Sequence, residues 1–389
     1  MRILMASHGY PPILSGVTLV VQKLARAMVR RGHQVAVITS SDLEEPYETE
    51  DEGVRLIRVE GGLNPFWKEA PIPFIGQGDL AEIVHDTQPH ILHAHESGVL
   101  GLQIARLETY PDLPRVASCY YVPRFVARYL TPNGEPSEII ESIVHSYSMW
   151  LFNHFDRVVF STAAHRSFFR GEDLAVPTEV ISNGVDVYRY SPRNWHDRDF
   201  EQQYDLPAGP RILFVSRLAK DKEIDVLIRT MGHLDPELDA HLLLVGRGDD
   251  QARLQELTDE LGLWDRVRFL GFVPEKDLPA LYRASHLFAI ASICEVQSLP
   301  TLQAAATGLP VVAADAVALP ELVHDGVNGF LVPPGEPEAF ALAMEKILRS
   351  KAMAAQMGKA SLDIAQEHAE ERTFDRYEEL YLRTIHEYR

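Results

Sequence analysis

The stretch Leu287-Phe-Ala-Ile-Ala-Ser-Ile-Cys-Glu295-Val-Gln-Ser-Leu-Pro-Thr-Leu-Gln303-Ala-Ala-Ala306 predicts a buried strand that leads directly into a helix. Its first four residues form a short apolar run, which is typical of a buried strand. The segment from Leu299 is rich in helix formers, and Pro300 lies near the helix start, where proline is tolerated. Backbone N–H groups and the positive dipole end at such a junction favour an anion. One hypothesis is therefore a phosphate-bearing ligand, and the other is an ordinary capped turn beside a solvated glutamate.

The rest of the chain repeats this alternation, which is the pattern of parallel α/β sheets covered by helices on both faces. One series of strands runs from near Ile3–Ala6 to Glu179–Ile181, and a second runs from Arg211–Ser216 to Val311–Ala314. A polar, proline-containing stretch over residues 190–209 separates the two series. The sequence therefore predicts an α/β fold of two Rossmann-like domains, residues 1–190 and 191–370, that face each other across a cleft. A last helix, in residues 371–389, either continues the second domain or crosses back to the first.

Length and composition indicate a soluble globular protein. The 389 residues are 46% hydrophobic, and no apolar run approaches the ~20 residues of a membrane span. The chain enters a predicted strand at once, which leaves no room for a signal peptide, so we expect a cytoplasmic location. Only two cysteines, Cys119 and Cys294, are present, too few for a disulfide framework or a cysteine-based zinc site.

The formal charge of −19 argues against broad binding to nucleic acid or to an anionic membrane. The predicted helix over residues 17–31 is an exception, because it carries Lys23, Arg26, Arg30 and Arg31. Such a basic face can contact a membrane or an anionic ligand, although more often it is simply solvated. Membrane association is thus possible but not favoured, and the sequence leaves the oligomeric state open.

Charged and small residues follow several predicted strands. Arg217 and Lys222 come after the first strand of the second domain, Gly246 comes after the next, and Gly16 lies between the first strand of the chain and its first helix. Two cations at a strand end suit a diphosphate. A surface salt bridge and a plain turn glycine are the alternatives. Because the spacing around Gly16 is not G-x-G-x-x-G, no dinucleotide cofactor is predicted.

The segment His93-Ala-His95-Glu96 also ends a predicted strand. Two histidines two positions apart share a strand face, as metal ligands often do. No third ligand is evident in the neighbouring sequence, so we favour core or cleft-lining histidines and predict no metal site.

The chain resembles the retaining family 4 glycosyltransferases of the GT-B fold over nearly its whole length. The matching segments occur in the family's order: Pro11-Pro-Ile-Leu-Ser-Gly16, Arg31-Gly-His33-Gln-Val35, Asn183-Gly-Val-Asp186, Ser216-Arg217 with Lys222, Val245-Gly246, Phe269-Leu-Gly-Phe-Val273, and Glu295 through Pro310. The Glu295 segment and Tyr121-Val-Pro123 are also similar to the subgroup that glucosylates diacylglycerol. Together these motifs form a specific match.

The resemblance implies that the first domain binds the acceptor and the second binds a nucleotide sugar. Arg217 and Lys222 would hold the donor diphosphate, and Glu295 would hold the donor sugar. The remaining donor-binding positions would be the ribose-binding Gln303, the phosphate-cradling backbone at Ser298 and Leu299, and Val273 near the base, with Gly246 and Gly16 close to the donor. The family is expected to need no metal and no cofactor besides the nucleotide sugar.

Three departures from the family pattern matter. Gln303 stands where a second glutamate is usual, and a carboxamide can still hydrogen-bond a ribose. Val296 and Ser298 replace glycines that commonly follow the first glutamate. Tyr120 stands where many members have a histidine. A tyrosine can donate a hydrogen bond to the sugar or acceptor but would not become cationic near neutral pH, and His95 is the fallback candidate for this contact.

We therefore expect a retaining glycosyltransferase, of the hexosyltransferase type, that moves a sugar from a nucleoside diphosphate sugar, with UDP the favoured carrier, to a hydroxyl of a small polyhydroxylated acceptor. A sugar, a cyclitol and a specialised metabolite are the acceptors considered. The alternatives are transfer to a diacylglycerol-type lipid at a membrane surface, and a sugar-nucleotide epimerase or hydrolase.

Overall fold

The computed structural model describes residues 1–13, 15–43, 45–64, 71–131, 137–169, 174–192 and 198–388. The chain forms two compact units, the first made of Met1–Asn183 and the chain from Thr373 onwards, and the second made of Gly184–Arg372. The sequence places the first boundary at residue 190. In the structure Tyr190 is fully buried in the core of the second unit, so the division falls before it.

The first unit is built on an eight-stranded sheet with the order β10-β9-β8-β7-β1-β2-β4-β3. Neighbouring strands are parallel, except that β3 runs antiparallel to β4. A separate hairpin joins β5 to β6. The strands are β1 (Arg2–Ala6), β2 (Gln34–Ser40), β3 (Tyr47–Asp51), β4 (Val54–Val59), β5 (Gly61–Gly62), β6 (Ile72–Pro73), β7 (Ile91–Ala94), β8 (Arg115–Ser118), β9 (Arg157–Phe160) and β10 (Thr178–Val180). The helices are α1 (Gly16–Arg30), α2 (Gln77–Thr87), α3 (Val99–Ala105), α4 (Pro123–Leu130), α5 (Glu138–Phe152) and α6 (Ala163–Ser167).

Helices cover this sheet on both faces, because alternate strand residues point to opposite sides. In β1, Ile3 and Met5 belong to one hydrophobic cluster, whereas Leu4 and Ala6 belong to the other. The first cluster also contains Tyr377 and other side chains of the C-terminal helix α14 (Glu370–Glu387). The C-terminal helix therefore packs on the N-terminal sheet, which is one of the two courses that the sequence leaves open.

The second unit contains a six-stranded, wholly parallel sheet with the order β13-β12-β11-β14-β15-β16. Its strands are β11 (Arg211–Val215), β12 (His241–Val245), β13 (Val267–Gly271), β14 (Leu287–Ile290), β15 (Val311–Ala314) and β16 (Gly329–Val332). Its helices are α7 (Arg198–Gln203), α8 (Ile224–His233), α9 (Gln251–Glu260), α10 (Leu278–Arg283), α11 (Leu299–Ala306), α12 (Pro337–Leu348) and α13 (Lys351–Glu367), with short 3₁₀ turns at Lys220–Lys222, Pro236–Leu238 and Leu319–Glu321.

The strands predicted from apolar runs are present, with ends that agree to about one residue. The sequence misses the edge strands β3 and β16. Strand β3 is largely exposed and polar, so it lacks an apolar run. Strand β16 begins at Gly329, where a Cβ atom would lie 1.7 Å from the Val311 carbonyl oxygen, so its pairing depends on a residue of low strand propensity.

In both sheets the strand order reverses beside the first strand, so that later strands are added on both sides of it. In the first unit β1 lies between β2 and β7, and in the second β11 lies between β12 and β14. In open parallel sheets, ligands bind beyond the carboxyl ends of the strands at such a reversal. The two places to search for a site are therefore the segments that follow β1 and β7, and those that follow β11 and β14. Among the described residues, no helix combines the length and the apolar character needed to cross a lipid bilayer.

Candidate active site

The reversal point of the second sheet brings together the two segments that the sequence singles out. Strands β11 and β14 pair in parallel, with Ile212 opposite Leu287 and Leu213 opposite Phe288. Their carboxyl ends therefore lie at the same edge of the sheet. Arg217 and Lys222 follow β11, and Glu295 follows β14. Residues about 75 positions apart in the chain thus meet at one place.

A short ion pair joins these two segments. Lys222 Nζ lies 2.7 Å from Glu295 Oε1 and 3.3 Å from Asp221 Oδ2, and all three side chains are largely buried. Burial by itself lowers the pKa of Lys222, but the carboxylates of Glu295 and Asp221 outweigh it and hold that pKa well above its ordinary value. Lys222 is therefore a permanent cation, and Glu295 is one of its partners.

Cys294 adds a second link between the segments. Its Sγ donates to Asp221 Oδ2 at 3.0 Å, and the backbone carbonyl of Asp221 accepts from the Ser292 hydroxyl at 3.3 Å. Burial raises the pKa of Cys294 to about 12, so the thiol keeps its proton and acts as the donor. Burial also raises the pKa of Asp221, but Lys222 and the Cys294 hydrogen bond lower it to a net value below its usual range. The turn that carries Lys222 is thus held against the β14–α11 segment.

Glycines at the end of β12 let the Arg217 segment approach closely. A Cβ atom on Gly246 would lie 1.8 Å from the Ser216 carbonyl oxygen, and one on Gly248 would lie 2.2 Å from that of Leu218. The backbone N–H of Leu218 donates to the Arg247 carbonyl at 2.9 Å. Gly246 therefore holds the backbone around Arg217 in place through direct packing. Arg217 itself is exposed.

Helix α11 begins at this same edge. The Ser298 hydroxyl caps it by accepting from the backbone N–H of Thr301 at 3.2 Å. Leu299 is the first helical residue, and Gln303 lies one turn further on, on the same face. The side-chain oxygen of Gln303 accepts a hydrogen bond from the Tyr282 hydroxyl at 3.0 Å. The predicted capped junction is present. Helix α11 begins shortly after Glu295, the residue that pairs with Lys222.

Val273 lies beyond the end of β13 and is buried in the hydrophobic core, with 4% of its surface exposed. Only its backbone is therefore available to a ligand. The neighbouring Phe272 is 53% exposed and is the side chain that this strand end presents to solvent.

The first unit places its candidates around its own reversal point. Gly16 starts α1, after the Ser15 cap. His95 follows β7, and its Nδ1 lies 3.0 Å from the hydroxyl of Tyr120, which follows β8. The structure thus pairs the tyrosine with its fallback histidine.

Buried polar side chains connect this pair to the C-terminal helix. The His93 ring lies 3.7 Å from the His95 ring, centroid to centroid. His93 Nδ1 is 2.6 Å from the Tyr381 hydroxyl, and its Nε2 is 2.8 Å from the Ser118 hydroxyl. Burial lowers the pKa of His95 to about 3 and, together with His95, also lowers that of His93. Both rings are therefore neutral near pH 7, as expected for core histidines.

The part of the chain that the structure describes contains no group of three or more His, Cys, Asp or Glu side chains placed to hold a metal ion. The structure brings Arg217, Lys222, Glu295, Gly246, Ser298, Leu299 and Gln303 to one sheet edge, and it places Gly16, His95 and Tyr120 in the other unit.

Two residues escape sequence reasoning. Cys294 is considered there only as one of two cysteines, too few for a disulfide framework or a cysteine-based zinc site, and Tyr282 is not considered. Their hydrogen bonds to Asp221 and Gln303 join residues distant in sequence. The only sequence signal was their position, since Cys294 precedes Glu295 and Tyr282 precedes β14.

Comparison with protein families gives two consecutive matches that together span most of the chain. The model described as Glycosyltransferase Family 4 matches residues 14–189, and the model described as Glycosyl transferases group 1 matches residues 197–363. The D-inositol 3-phosphate glycosyltransferase of Corynebacterium aurimucosum is 29% identical over 398 aligned positions, which cover 94% of this chain and 92% of that relative.

Solved structures show the same fold. Sucrose-phosphate synthase from Thermosynechococcus elongatus superposes with a TM-score of 0.82 at 23% identity and covers 98% of both chains. The Anabaena protein Alr3699/HepE, solved in complex with UDP-glucose, gives a TM-score of 0.76 at 21% identity, with 98% of this chain and 99% of that chain covered. The predicted α/β fold of two Rossmann-like units is confirmed. The chain belongs to the family 4 glycosyltransferases of the GT-B fold.

We predict that Gly246→Ala strongly destabilises the second unit. The added methyl group would overlap the Ser216 carbonyl oxygen, and the backbone of Gly246, with φ of 133°, is unfavourable for alanine. We expect a loss of about 3 kcal/mol or more, measured by thermal and urea unfolding. Gly262→Ala is the matched control: its φ is 64° and nothing lies within 4 Å of the new Cβ, so about 1 kcal/mol should be lost. Equal losses would contradict the packing argument.

A second prediction concerns acid stability of the first unit. Because folding lowers the pKa of His95 from 6.5 to about 3, the unfolded chain binds the proton more tightly. Stability is therefore complete above pH 6.5 and declines as the pH falls towards 3, by up to about 1.4 kcal/mol per pH unit for this group. Thermal unfolding at pH 7, 6 and 5 should show a shallower decline for His95→Gln than for the wild type. Parallel declines would contradict this assignment.

Proposed function

We propose that the protein is a retaining glycosyltransferase that moves a sugar from a UDP-linked donor to a hydroxyl group of a small polyhydroxylated acceptor. One observation carries the proposal: the reversal point of the second sheet brings Arg217 and Lys222 together with Glu295 and the N-terminus of α11. Fixed positive charge for a diphosphate thus lies beside a carboxylate suited to the hydroxyls of a sugar.

The cations and the helix N-terminus stabilise the departing diphosphate. Arg217 can grip two oxygens with its planar guanidinium, whereas Lys222 supplies a point charge. The backbone N–H groups of Ser298 and Leu299 extend the cradle, since those at a helix start lack intrahelical partners. Preorganised charge of this kind is the main source of catalysis in the proposal, and no cofactor is required besides the nucleotide sugar.

The Lys222–Glu295 pair orients both residues. An ammonium group has three N–H donors, and the contacts with Glu295 and Asp221 use two of them. The third donor is left for a phosphate oxygen. Glu295 has a second carboxylate oxygen that can accept from hydroxyls of the donor sugar. In the proposed complex the Lys222 cation would therefore lie between the sugar and the diphosphate, at the bond that is broken.

Retention follows when the acceptor hydroxyl attacks from the face that the diphosphate leaves. The leaving phosphate oxygen can then take the acceptor proton, so no separate protein base is required in the donor site. The oxygen of the acceptor forms the new bond to the anomeric carbon as the bond to the phosphate breaks. Positioning of the two substrates supplies the rest of the rate enhancement.

The first unit is proposed to hold the acceptor. Gly16, His95 and Tyr120 surround the reversal point of its sheet, where small-molecule ligands bind in open parallel sheets. Gly16, which has no side chain, would let a ligand lie close to the start of α1. His95 and Tyr120 would contact hydroxyls of the acceptor or the sugar as neutral hydrogen-bonding groups. Of the two, Tyr120 is partly exposed, whereas His95 is almost wholly buried.

The comparisons support this choice of substrates. Alr3699/HepE was solved with UDP-glucose, which supports a UDP sugar as donor. The names D-inositol 3-phosphate glycosyltransferase and sucrose-phosphate synthase support an acceptor of the cyclitol or sugar class. Intramolecular ion pairs on α1 also disfavour membrane binding through that helix, because Arg26 pairs with Asp51 and Glu52.

A lipid acceptor at a membrane surface is the second candidate, and one observation favours it. Helix α5 exposes a stripe of large apolar side chains, with Ile139 75% and Ile143 63% exposed. The same helix contacts the segment after β7, because the Tyr147 hydroxyl donates to the Ser97 carbonyl at 2.8 Å. The stripe therefore begins beside the proposed acceptor site.

We predict that Lys222→Ala and Arg217→Ala each reduce turnover by about 10²-fold or more, as expected for the loss of a preorganised charge on the leaving group. The measurement is UDP release with saturating donor and acceptor. Lys220→Ala is the matched control, because Lys220 is exposed on the same 3₁₀ turn. Near-normal turnover in either site variant would contradict the assignment.

The reaction itself is tested by incubating the enzyme with UDP-glucose and, separately, an inositol phosphate, a phosphorylated hexose, diacylglycerol vesicles or no acceptor. We expect transfer to a polyhydroxylated acceptor with the donor's anomeric configuration, read from the NMR coupling constant of the product. An inverted anomer contradicts retention, transfer to diacylglycerol selects the lipid alternative, and sugar consumption without any acceptor supports a hydrolase or epimerase.

A further inference from the structure

Tyr282 lies on α10 and is fully buried, yet its hydroxyl reaches the candidate active site. The hydroxyl donates to Gln303 Oε1 at 3.0 Å. Burial raises the pKa of Tyr282 well above its ordinary value, so the phenol keeps its proton. A buried hydroxyl without a partner is energetically costly, so this hydrogen bond holds the Gln303 side chain in place.

Gln303 is on the accessible side of an otherwise buried helix. In α11 only Leu299, Pro300 and Gln303 are partly exposed, whereas the other five residues are buried. The backbone carbonyl of Gln303 accepts from the N–H of Thr307 at 3.1 Å and from its hydroxyl at 2.8 Å. The backbone is therefore fixed by the helix, and the orientation of the carboxamide depends on its side-chain contacts.

Tyr282 is itself held from several directions. Its ring packs edge to face against Tyr190, with centroids 5.6 Å apart, and lies 5.9 Å from the ring of Phe288. The next residue, Arg283, donates to the carbonyl of Ser191 at 2.9 Å, which anchors α10 to the segment before α7. The Tyr282 hydroxyl is thus held in a fixed position beside the Gln303 side chain, which can rotate.

The two ends of a carboxamide are chemically different. The oxygen only accepts hydrogen bonds, and the amino group only donates them. Because the Tyr282 hydroxyl donates to the oxygen, the amino group Nε2 is directed away from Tyr282. A ligand hydroxyl that meets Gln303 at this end would therefore act as the acceptor. A carboxylate at the same position would have two equivalent oxygens, and Tyr282 would not select between them.

We propose that Tyr282 is a positioning residue that holds the Gln303 carboxamide with its amino group towards a ribose hydroxyl of the donor, and so strengthens the selection of ribonucleotides over deoxyribonucleotides. This inference rests on the proposed function, because it takes the partner of Gln303 to be the ribose of a nucleoside diphosphate. Tyr282 acts only through Gln303 and does not contact the donor.

The experiment measures the dissociation constants of UDP, 2′-deoxy-UDP and 3′-deoxy-UDP by calorimetry with the full-length protein. The wild type should bind UDP more tightly than at least one deoxy analogue, by about fivefold or more, the worth of roughly one neutral hydrogen bond. Tyr282→Phe should lower this ratio, because the carboxamide is no longer held in one orientation and must be ordered when the ribose hydroxyl binds. Gln303→Ala should bring the ratio close to one, and the double variant should show no further loss.

Tyr204→Phe is the matched control. Its hydroxyl donates to Asp277 Oδ2 at 2.8 Å in the same unit, in a hydrogen bond that does not involve Gln303. The ratio should stay at the wild-type value in this variant. Gln303→Glu is an independent check, because either oxygen of the carboxylate can accept a hydrogen bond from the ribose hydroxyl. Discrimination should persist in Gln303→Glu and should no longer depend on Tyr282.

The outcomes separate this inference from the function on which it rests. A wild-type protein that discriminates while Tyr282→Phe keeps the same ratio overturns the role of Tyr282 and leaves the proposed function standing. Binding of UDP without any discrimination by the wild type likewise overturns it. No binding of UDP or UDP-glucose by the wild type overturns both. If Tyr282→Phe fails to fold, a Gln303→Ala variant with an unchanged ratio still overturns the inference.

Discussion

The parallel pairing of β11 with β14 is the constraint on which the candidate active site depends. It is a short contact, with two aligned residue pairs, yet it sets the ends of two strands side by side although some 70 residues separate them in the chain. The contacts between the turn after β11 and the segment after β14 use that placement. Lys222 can reach Glu295 because the turn after β11 and the segment after β14 emerge at one edge, and the Cys294–Asp221 hydrogen bond then holds these segments together.

Packing around this edge leaves little freedom to the backbone. The glycines after β12 are in contact with the Ser216–Leu218 backbone, and the Ser298 cap fixes the start of α11. The side chains keep specific partners as well, with Lys222 bound to two carboxylates and Gln303 bound to a buried tyrosine. A site that is held in this way pays little conformational entropy when a ligand binds, which is the physical meaning of preorganisation.

Much of the fold follows from local patterns. Strands such as Leu287–Ile290 and Val311–Ala314 are short apolar runs because both faces of a parallel sheet are covered, and such runs are easily recognised. Two edge strands do not follow this rule: β3 is polar on an exposed edge, and β16 begins with a glycine. The course of the C-terminal helix was open for a similar reason, since its apolar face, including Tyr377 and Tyr381, fits any sheet that offers a complementary surface.

The sequence by itself determined the class of fold, the strand ends that carry Arg217, Lys222, Gly246 and Glu295, and the helix start after Ser298. These features depend on residues close together in the chain, whose spacing reflects the periods of strands and helices. Only the tertiary structure decided that Lys222 binds Glu295, that Val273 turns into the core, that His95 pairs with Tyr120, and that Tyr282 reaches Gln303. Each of these depends on the distance and direction between side chains from separate elements, and those are set by the packing of the whole unit.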